Sequence, residues 1–439
     1  MKGMNVQAIC AACGGQLHGE APEGEASCVV IDSRLIEEGG VFIATKGERV
    51  DGHSFIPEVF AKGALAVVCE KLPEENCGPC ILVRDSFEAL TRIAALYRSQ
   101  LKAKIIGITG SVGKTSTKEM IAAVLREKYR VFATEKNFNN EIGVPLMILR
   151  IRDEHECAVL EMGINHFGEM TRLTKLVRPD IAVITNIGEC HLEALGDRDG
   201  VLRAKSEIFS GMTEEGTAIL NGDDDKLAGI KEVCGKPPVF YGVADFAELC
   251  TGAEADFAAE MPGHMRQNAA AAAAIGRLLG LGRDEIIAGL AKTGAIKGRS
   301  RIVNCDGFAM IDDCYNANPT SVRAAIDMLC EKYPEGRMAI LGDMFELGKK
   351  EKELHAAVGR YAAESGVETL ITVGELSKHM AEAYDGAIAP SGRKAEHFES
   401  TEELLAALPA RDLRGQNVLV KASHGMHFER IVELLEAKQ

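Results

Sequence analysis

A chain of 439 residues is too long for one ordinary hydrophobic core, so roughly two to four domains are expected. Apolar residues make up 46% and charged residues 26%, an ordinary globular mixture, and the net charge of −15 argues against nonspecific nucleic-acid binding, which draws its affinity from Lys and Arg on phosphates. No apolar run reaches the roughly 18 residues needed to cross a bilayer, and Met1 to Gln16 lacks the charged start and long apolar stretch of a secretion signal, so a cytoplasmic protein with no membrane partner is expected.

The first block, residues 1–101, has short strands such as Val41 to Ile43 and Ala66 to Val68 between Gly and Pro turns, and ends in a helical pattern over Ser86 to Gln100. The 13 cysteines are scattered and odd in number, which fits reduced, mostly buried thiols. Cys10 and Cys13 sit in a short helical pattern. Cys77-Gly78-Pro79-Cys80 has thioredoxin-like spacing, but the strand-like Ile81-Leu82-Val83 follows where that motif needs a helix. The two pairs lie far apart for one zinc site, and neither role is expected.

The second block, residues 102–298, opens with the buried-strand run Ile105 to Thr109. Further apolar runs follow at Ala158 to Leu160, Ile181 to Thr185 and Ala218 to Leu220, with helical patterns between most of them. Continuous apolar strands alternating with helices predict a parallel sheet covered on both faces. A helix over Met265 to Leu279 and a loop over Thr293 to Gly298 close the block, with a hinge expected near Lys297-Gly298. The third block, residues 299–439, repeats the logic with strands at Ala309 to Ile311, Met338 to Leu341, Leu370 to Val373 and Val418 to Val420. The fold class is therefore α/β with three domains: a small mixed N-terminal one, a central parallel-sheet one and a Rossmann-like C-terminal one.

The segment Thr109-Gly110-Ser111-Val112-Gly113-Lys114-Thr115-Ser116 follows an apolar strand and precedes a helical pattern over Thr117 to Lys128, the context of a phosphate-binding loop. Gly110 and Gly113 let backbone N–H groups turn inward around phosphates, and the helix N-terminus adds positive potential. Lys114 can reach the outer phosphates of ATP, and the Thr115 or Ser116 hydroxyl can bind Mg²⁺. The general pattern fails by one position, since Ile108 stands where its first glycine belongs. A ligand-free glycine turn is the alternative.

Ligands of open α/β sheets bind at the carboxyl ends of strands. Glu161 follows Ala158 to Leu160, and His191 follows Ile181 to Thr185 through Asn186-Ile187-Gly188-Glu189-Cys190. A carboxylate and an imidazole at neighbouring strand ends can hold a metal ion near a γ-phosphate; alone, each reads equally as a cap or loop residue. Lys205, in Ala204-Lys205-Ser206-Glu207-Ile208-Phe209, reads by itself as a solvated helix lysine. Asn137, Asn139, Asn140 and Glu141 crowd one loop. Asp312-Asp313 ends a strand before Tyr315-Asn316-Ala317-Asn318-Pro319, where Asn318 also reads as a helix cap.

These segments, in this order, resemble the Mur ligases of peptidoglycan synthesis over essentially the whole chain. The resemblance implies an ATP loop at Thr109 to Thr115, short glycine spacing included. It implies two Mg²⁺ ions, held by Thr115, Glu161, His191 and Lys205, the last carbamylated so that a cation becomes an anionic ligand. It implies nucleotide contacts from Asn268, in Gly263 to Ala269, and from Arg299 and Asp313. Asp313 to Ser321 and Leu341 to Gly348 resemble the branch of the family that adds D-alanyl-D-alanine, which implies UDP-N-acetylmuramoyl-tripeptide and D-Ala-D-Ala as substrates, with Asn137, Asn140, Tyr315, Asn316 and Asn318 on the substrate side. Asp32-Ser33-Arg34 and Lys46 to His53 resemble the family's UDP-sugar domain, with Ser33, Arg34, Lys46, Asp51 and His53 as its contacts. Met265 stands where the family usually has Asn, and His424 where it usually has Arg. The expected product is an amide formed through an acyl phosphate, by a monomer. A nucleotide switch, or a ligase of the third-step or folylpolyglutamate type, is the alternative. The third residue of the tripeptide is open, and no residue stands out as base for the incoming amine.

Overall fold

A computed structural model describes residues 1–251, 255–388 and 394–437. Its strands form three sheets. The first is built from β1 (Gln16–His18), β2 (Val29–Val30), β3 (Val41–Ile43), β4 (Ala66–Cys69) and β5 (Cys80–Leu82) in the order β1-β5-β4-β3-β2, antiparallel only between β1 and β5. The second contains β6 (Lys104–Thr109), β7 (Val131–Ala133), β8 (Cys157–Glu161), β9 (Ile181–Ile184), β10 (Thr217–Asn221) and β11 (Val239–Tyr241), all parallel, in the order β11-β10-β9-β6-β8-β7. The third contains β12 (Arg301–Cys305), β13 (Phe308–Asp312), β14 (Arg337–Gly342), β15 (Thr369–Val373), β16 (Glu396–Phe398) and β17 (Asn417–Lys421), ordered β12-β13-β17-β14-β15-β16. Only its β12–β13 pair is antiparallel.

The apolar runs of the central sheet are continuous because both faces are covered. Ile106, Ile108, Val159, Val183 and Ile219 face the helices Lys114–Leu125 and Gly263–Leu278. Ile105, Ala158, Leu160, Ala182 and Ile184 face the opposite layer, which holds Leu173, Leu176 and Ala204. Burial at roughly 25 cal/mol per Å² of apolar surface holds both layers in place. The buried alanines Ala269 to Ala273 let helix Gly263–Leu278 lie close against helix Lys114–Leu125.

Helix Ser86–Arg98 is capped by Asp85, whose Oδ1 accepts from Glu88 N–H at 2.8 Å. Its far end docks the first sheet onto the second. Tyr97 OH donates to Ile151 O at 2.7 Å, and Arg98 donates to Val177 O and Arg178 O at 2.7 and 2.8 Å, where helix Glu169–Val177 ends and its carbonyls lack partners.

The sheet orders matter for function. β6 lies between β9 and β8, so the segments after Thr109, Glu161 and Ile184 emerge side by side. β17 lies between β13 and β14, which brings together Asp313, Lys421 and Asp343.

Candidate active site

The segment after β6 turns sharply. Gly110 has φ +150° and Gly113 φ +82°, backbone shapes that favour glycine. A Cβ on Gly110 would lie 1.9 Å from Thr185 Oγ1, and one on Gly113 2.7 Å from Asn268 Oδ1. The segment after β9 clamps the turn from the side: Val112 N–H donates to Asn186 Oδ1 at 2.9 Å, Thr185 Oγ1 donates to Val112 O at 2.6 Å, and Gly188 N–H donates to Ser111 Oγ at 2.9 Å. Asn268 supports it from behind by accepting from Thr117 Oγ1 at 3.0 Å, with Met265 Sδ 3.7 Å from its amide nitrogen. These bonds tie the loop to the segment after β9 and to helix Gly263–Leu278.

Lys114 starts the following helix and donates from Nζ to Gly110 O at 2.8 Å. Burial lowers its pKa, Glu161 and Cys190 oppose that shift, and Arg299 adds to it. Glu161, 2% exposed at the end of β8, accepts from Thr115 Oγ1 at 3.0 Å and from Asn139 Nδ2 at 2.8 Å. Asn139, not its exposed neighbour Asn137, is the loop residue that reaches Glu161. Asn140 turns back to accept from Gly143 N–H at 2.8 Å.

Cys190 donates from Sγ to Ser111 Oγ at 3.1 Å and thereby holds the next residue, His191, beside the loop. His191 is left-handed, φ +51°, and its Nδ1 lies 2.5 Å from Glu346 Oε2 of the third sheet's loops. That contact holds the Glu346 carboxyl below the usual carboxylate range. Lys205 lies in the last turn of helix Arg198–Ser206 and is 1% exposed, a buried amine rather than the solvated lysine that its segment suggests by itself. Burial pulls its pKa down to about 8; Cys190 opposes the pull and Lys114 adds to it. Its Nζ has no hydrogen-bond or ion-pair partner among the described residues.

The opposite wall comes from the third sheet. Arg299 stacks its guanidinium 4.0 Å from the Tyr315 ring centre, and His424 stacks on the same ring at 5.4 Å. Asn316 Oδ1 accepts from Ala317 N–H at 2.9 Å. Asn318 caps helix Pro319–Lys332 by accepting from Ser321 N–H at 2.8 Å. Between the walls lies a cleft of about 650 Å³ lined by Ser111, Val112, Gly113, Lys114, Thr115, Asn140, Glu161, His191, Arg299, Tyr315, Asn316, Asn318 and Glu346, among others. Thr109, Gly110, Ser116, Asn137, Lys205, Asn268 and Asp313 do not line it.

Asp313 is occupied elsewhere. Its Oδ2 lies 2.6 Å from Lys421 Nζ and its Oδ1 accepts from Ser300 N–H at 2.9 Å, with Lys421 3% exposed. Removing one partner of a buried pair strands the other charge. Asp313→Ala should therefore lower unfolding free energy by about 3–5 kcal/mol, read by urea denaturation; a loss under ~1 kcal/mol would mean that water reaches Lys421 freely.

Three family models match: the Mur ligase family catalytic domain over residues 25–98, the Mur ligase middle domain over 108–275 and the Mur ligase glutamate ligase domain over 298–424. A Bacillus subtilis (strain 168) protein named UDP-N-acetylmuramoyl-tripeptide–D-alanyl-D-alanine ligase is 38% identical, with 93% of each chain covered. The chain belongs to the Mur ligase family. A crystal structure of MurF from Acinetobacter baumannii superposes with TM-score 0.85 at 32% identity, covering 99% of both chains. The MurF ligase of Thermotoga maritima, in complex with ADP, gives 0.78 at 30% identity, covering 94% of this chain and 97% of that one.

In this Mur ligase the residues expected to meet a UDP-sugar lie on the first sheet's loops, away from the cleft. Asp51 accepts from His53 N–H at 3.0 Å and approaches His53 Nδ1 at 2.7 Å, while Glu70 N–H donates to His53 Nε2 at 2.9 Å. The imidazole is thereby fixed as the Nδ1–H tautomer. Lys46 bridges to Asp51 through the backbone, Arg34 pairs with Asp32 at 2.7 Å, and Ser33 is buried. Sequence reading did not select Asn139, Cys190, Phe345 or Glu346, all at the site. Asn139 stood among the polar residues of its loop, Cys190 immediately before His191, and Phe345 and Glu346 inside the segment Leu341 to Gly348. Among the described residues no helix is long and apolar enough to cross a membrane.

Proposed function

We propose that the protein is an ATP-dependent ligase that joins D-alanyl-D-alanine to UDP-N-acetylmuramoyl-tripeptide, giving the pentapeptide precursor, ADP and phosphate. The observation that carries this reading is the shared cleft. A glycine loop with Lys114 and Glu161 faces Arg299, Tyr315 and Asn316 across a space of about 650 Å³, enough for a triphosphate and a peptide end. Residues 1–101 would take the UDP-sugar, 102–298 the nucleotide and 299–439 the dipeptide, in a cytoplasmic monomer.

The donor set fits Mg²⁺. Glu161 and the Thr115 hydroxyl are oxygen donors 3.0 Å apart at the loop. Among the described residues no three His, Cys, Asp or Glu side chains form a metal cage. Mg²⁺ does not need one, since it usually takes one or two carboxylates and completes its shell with water and substrate phosphates. A second ion would meet His191 and Lys205, the latter as a carbamate; the buried amine with pKa about 8 supports that modification, because only a neutral amine adds carbon dioxide. Bound there, the ions neutralise charge on phosphates and carboxylate.

The loop N–H groups and Lys114 hold the outer phosphates of ATP in line with the tripeptide's terminal carboxylate. A carboxylate oxygen attacks the γ-phosphorus, the bond to the β-phosphate oxygen breaks, and ADP leaves with an acyl phosphate in place. The dipeptide amine then adds to the acyl carbon, loses a proton, and the tetrahedral intermediate expels phosphate. Lys114 stabilises negative charge on the transferring group at the moment it develops. Arg299, stacked on Tyr315, carries a second cation from the C-terminal wall.

ADP release that depends strictly on both tripeptide and D-Ala-D-Ala tests the reading. Hydrolysis indifferent to both would make the protein a nucleotide switch instead.

A further inference from the structure

We infer that Glu346 is a positioning residue that makes His191 competent only when the C-terminal domain is docked on the central one. His191 and Glu346 lie 155 positions apart in sequence, in the segments after β9 and β14 of different sheets, with Nδ1 and Oε2 2.5 Å apart. A carboxylate can only accept, so the ring donates from Nδ1–H, and in the neutral ring this leaves the lone pair on Nε2. His191 lines the cleft beside the phosphate loop, and among the described residues its Nε2 meets no hydrogen-bond or ion-pair partner. Free imidazole side chains favour the opposite tautomer, so the carboxylate selects the form that can ligate a cation. A carboxylate behind a ligating imidazole is a recurrent arrangement in metal sites. Here the two halves come from different domains.

The surrounding contacts show that the juxtaposition is built. His191 (φ +51°) and Glu346 (φ +62°) both occupy the left-handed region that non-glycine residues avoid. Each is held by backbone bonds: Leu195 N–H donates to His191 O at 2.9 Å, and Glu193 N–H donates to Glu346 O at 3.1 Å, across the domain boundary. The segment carrying Glu346 is anchored within its own domain, where Met344 N–H donates to His355 Nε2 and Phe345 N–H to Ser423 Oγ, both at 2.9 Å. Separation of the domains would release the carboxylate and free the ring to rotate and change tautomer.

The inference rests on the ligase reading for the ion that Nε2 would meet, and the two fail separately. The experiment compares wild type with Glu346→Ala and Glu346→Gln in the full chain. Nitrogen NMR of the His191 ring in metal-free protein should show the Nδ1–H tautomer in wild type and in Glu346→Gln, whose amide oxygen can still accept, and a shift toward the Nε2–H form in Glu346→Ala. With ADP present, Mn²⁺ affinity should fall about ten- to a hundredfold in Glu346→Ala and by less than threefold in Glu346→Gln, with kcat following the metal and KM for ATP little changed. An unchanged tautomer in Glu346→Ala, or Mn²⁺ affinity within twofold of wild type, overturns the inference. Absence of dipeptide-dependent ADP release in wild type overturns the ligase reading and leaves the tautomer result intact.

Discussion

Lys114→Ala should lower kcat for tripeptide- and dipeptide-dependent ADP release by about a thousandfold or more, equivalent to ~4 kcal/mol of transition-state stabilisation. The amine lies enclosed at the base of the cleft, tied to Gly110 O at 2.8 Å, where water screens little and a cation opposite a migrating phosphoryl group is worth most. Lys114→Arg should rescue poorly. A planar guanidinium fork does not reproduce the compact point charge of the ammonium at Gly110 O. Nucleotide binding should weaken less than turnover, because Gly110, Gly113 and the helix N-terminus still offer N–H donors. Stopped-assay phosphate release and calorimetric titration of ADP separate the two. A variant that keeps even a tenth of wild-type turnover would show that the loop does not hold the reacting phosphates.

What the sequence could reveal of this molecule follows from which interactions are local. The strands β6, β8, β9, β13, β14, β15 and β17 are buried on both faces and read directly as apolar runs. Edge strands do not: β12 alternates between half-buried and exposed, and β7, β11 and β16 have only three residues each. The phosphate loop was legible because strand, glycine turn and helix adjoin. The burial of Lys205 was not, because its helix segment reads as amphipathic and the packing that encloses it is tertiary. Asn137 and Asn139 cannot be told apart by residue type; only the fold shows that Asn139 donates to Glu161 while Asn137 is exposed. Asp313 carried a family resemblance, but its engagement with Lys421 spans 108 positions and has no local signature. The same holds for His191 and Glu346.

Lys205→Met should reduce turnover by about a hundredfold or more without lowering stability, and added bicarbonate should not restore it. The Lys205 side chain is 1% exposed and its ammonium has no hydrogen-bond or ion-pair partner among the described residues, so replacing it by an apolar chain of similar length removes a desolvation cost rather than a contact. A merely structural lysine would therefore show an equal or higher Tm and unaltered kinetics in Lys205→Met. A carbamate would show high Tm and lost kinetics. The pH dependence has a definite sign. The folded-state pKa is depressed to about 8 from 10.5, so between those values the unfolded chain binds more protons, and the unmodified protein gains stability as pH rises through that window. The neutral amine also becomes dominant as pH rises through about 8, so occupancy by carbon dioxide should climb over the same rise. Isotope-labelled bicarbonate should give a carbamate carbon signal in wild type that disappears in Lys205→Met. Full activity in that variant, or no such signal in active wild type, would remove the carbamate from the mechanism and leave Glu161, Thr115 and His191 as the protein's contribution to the ions.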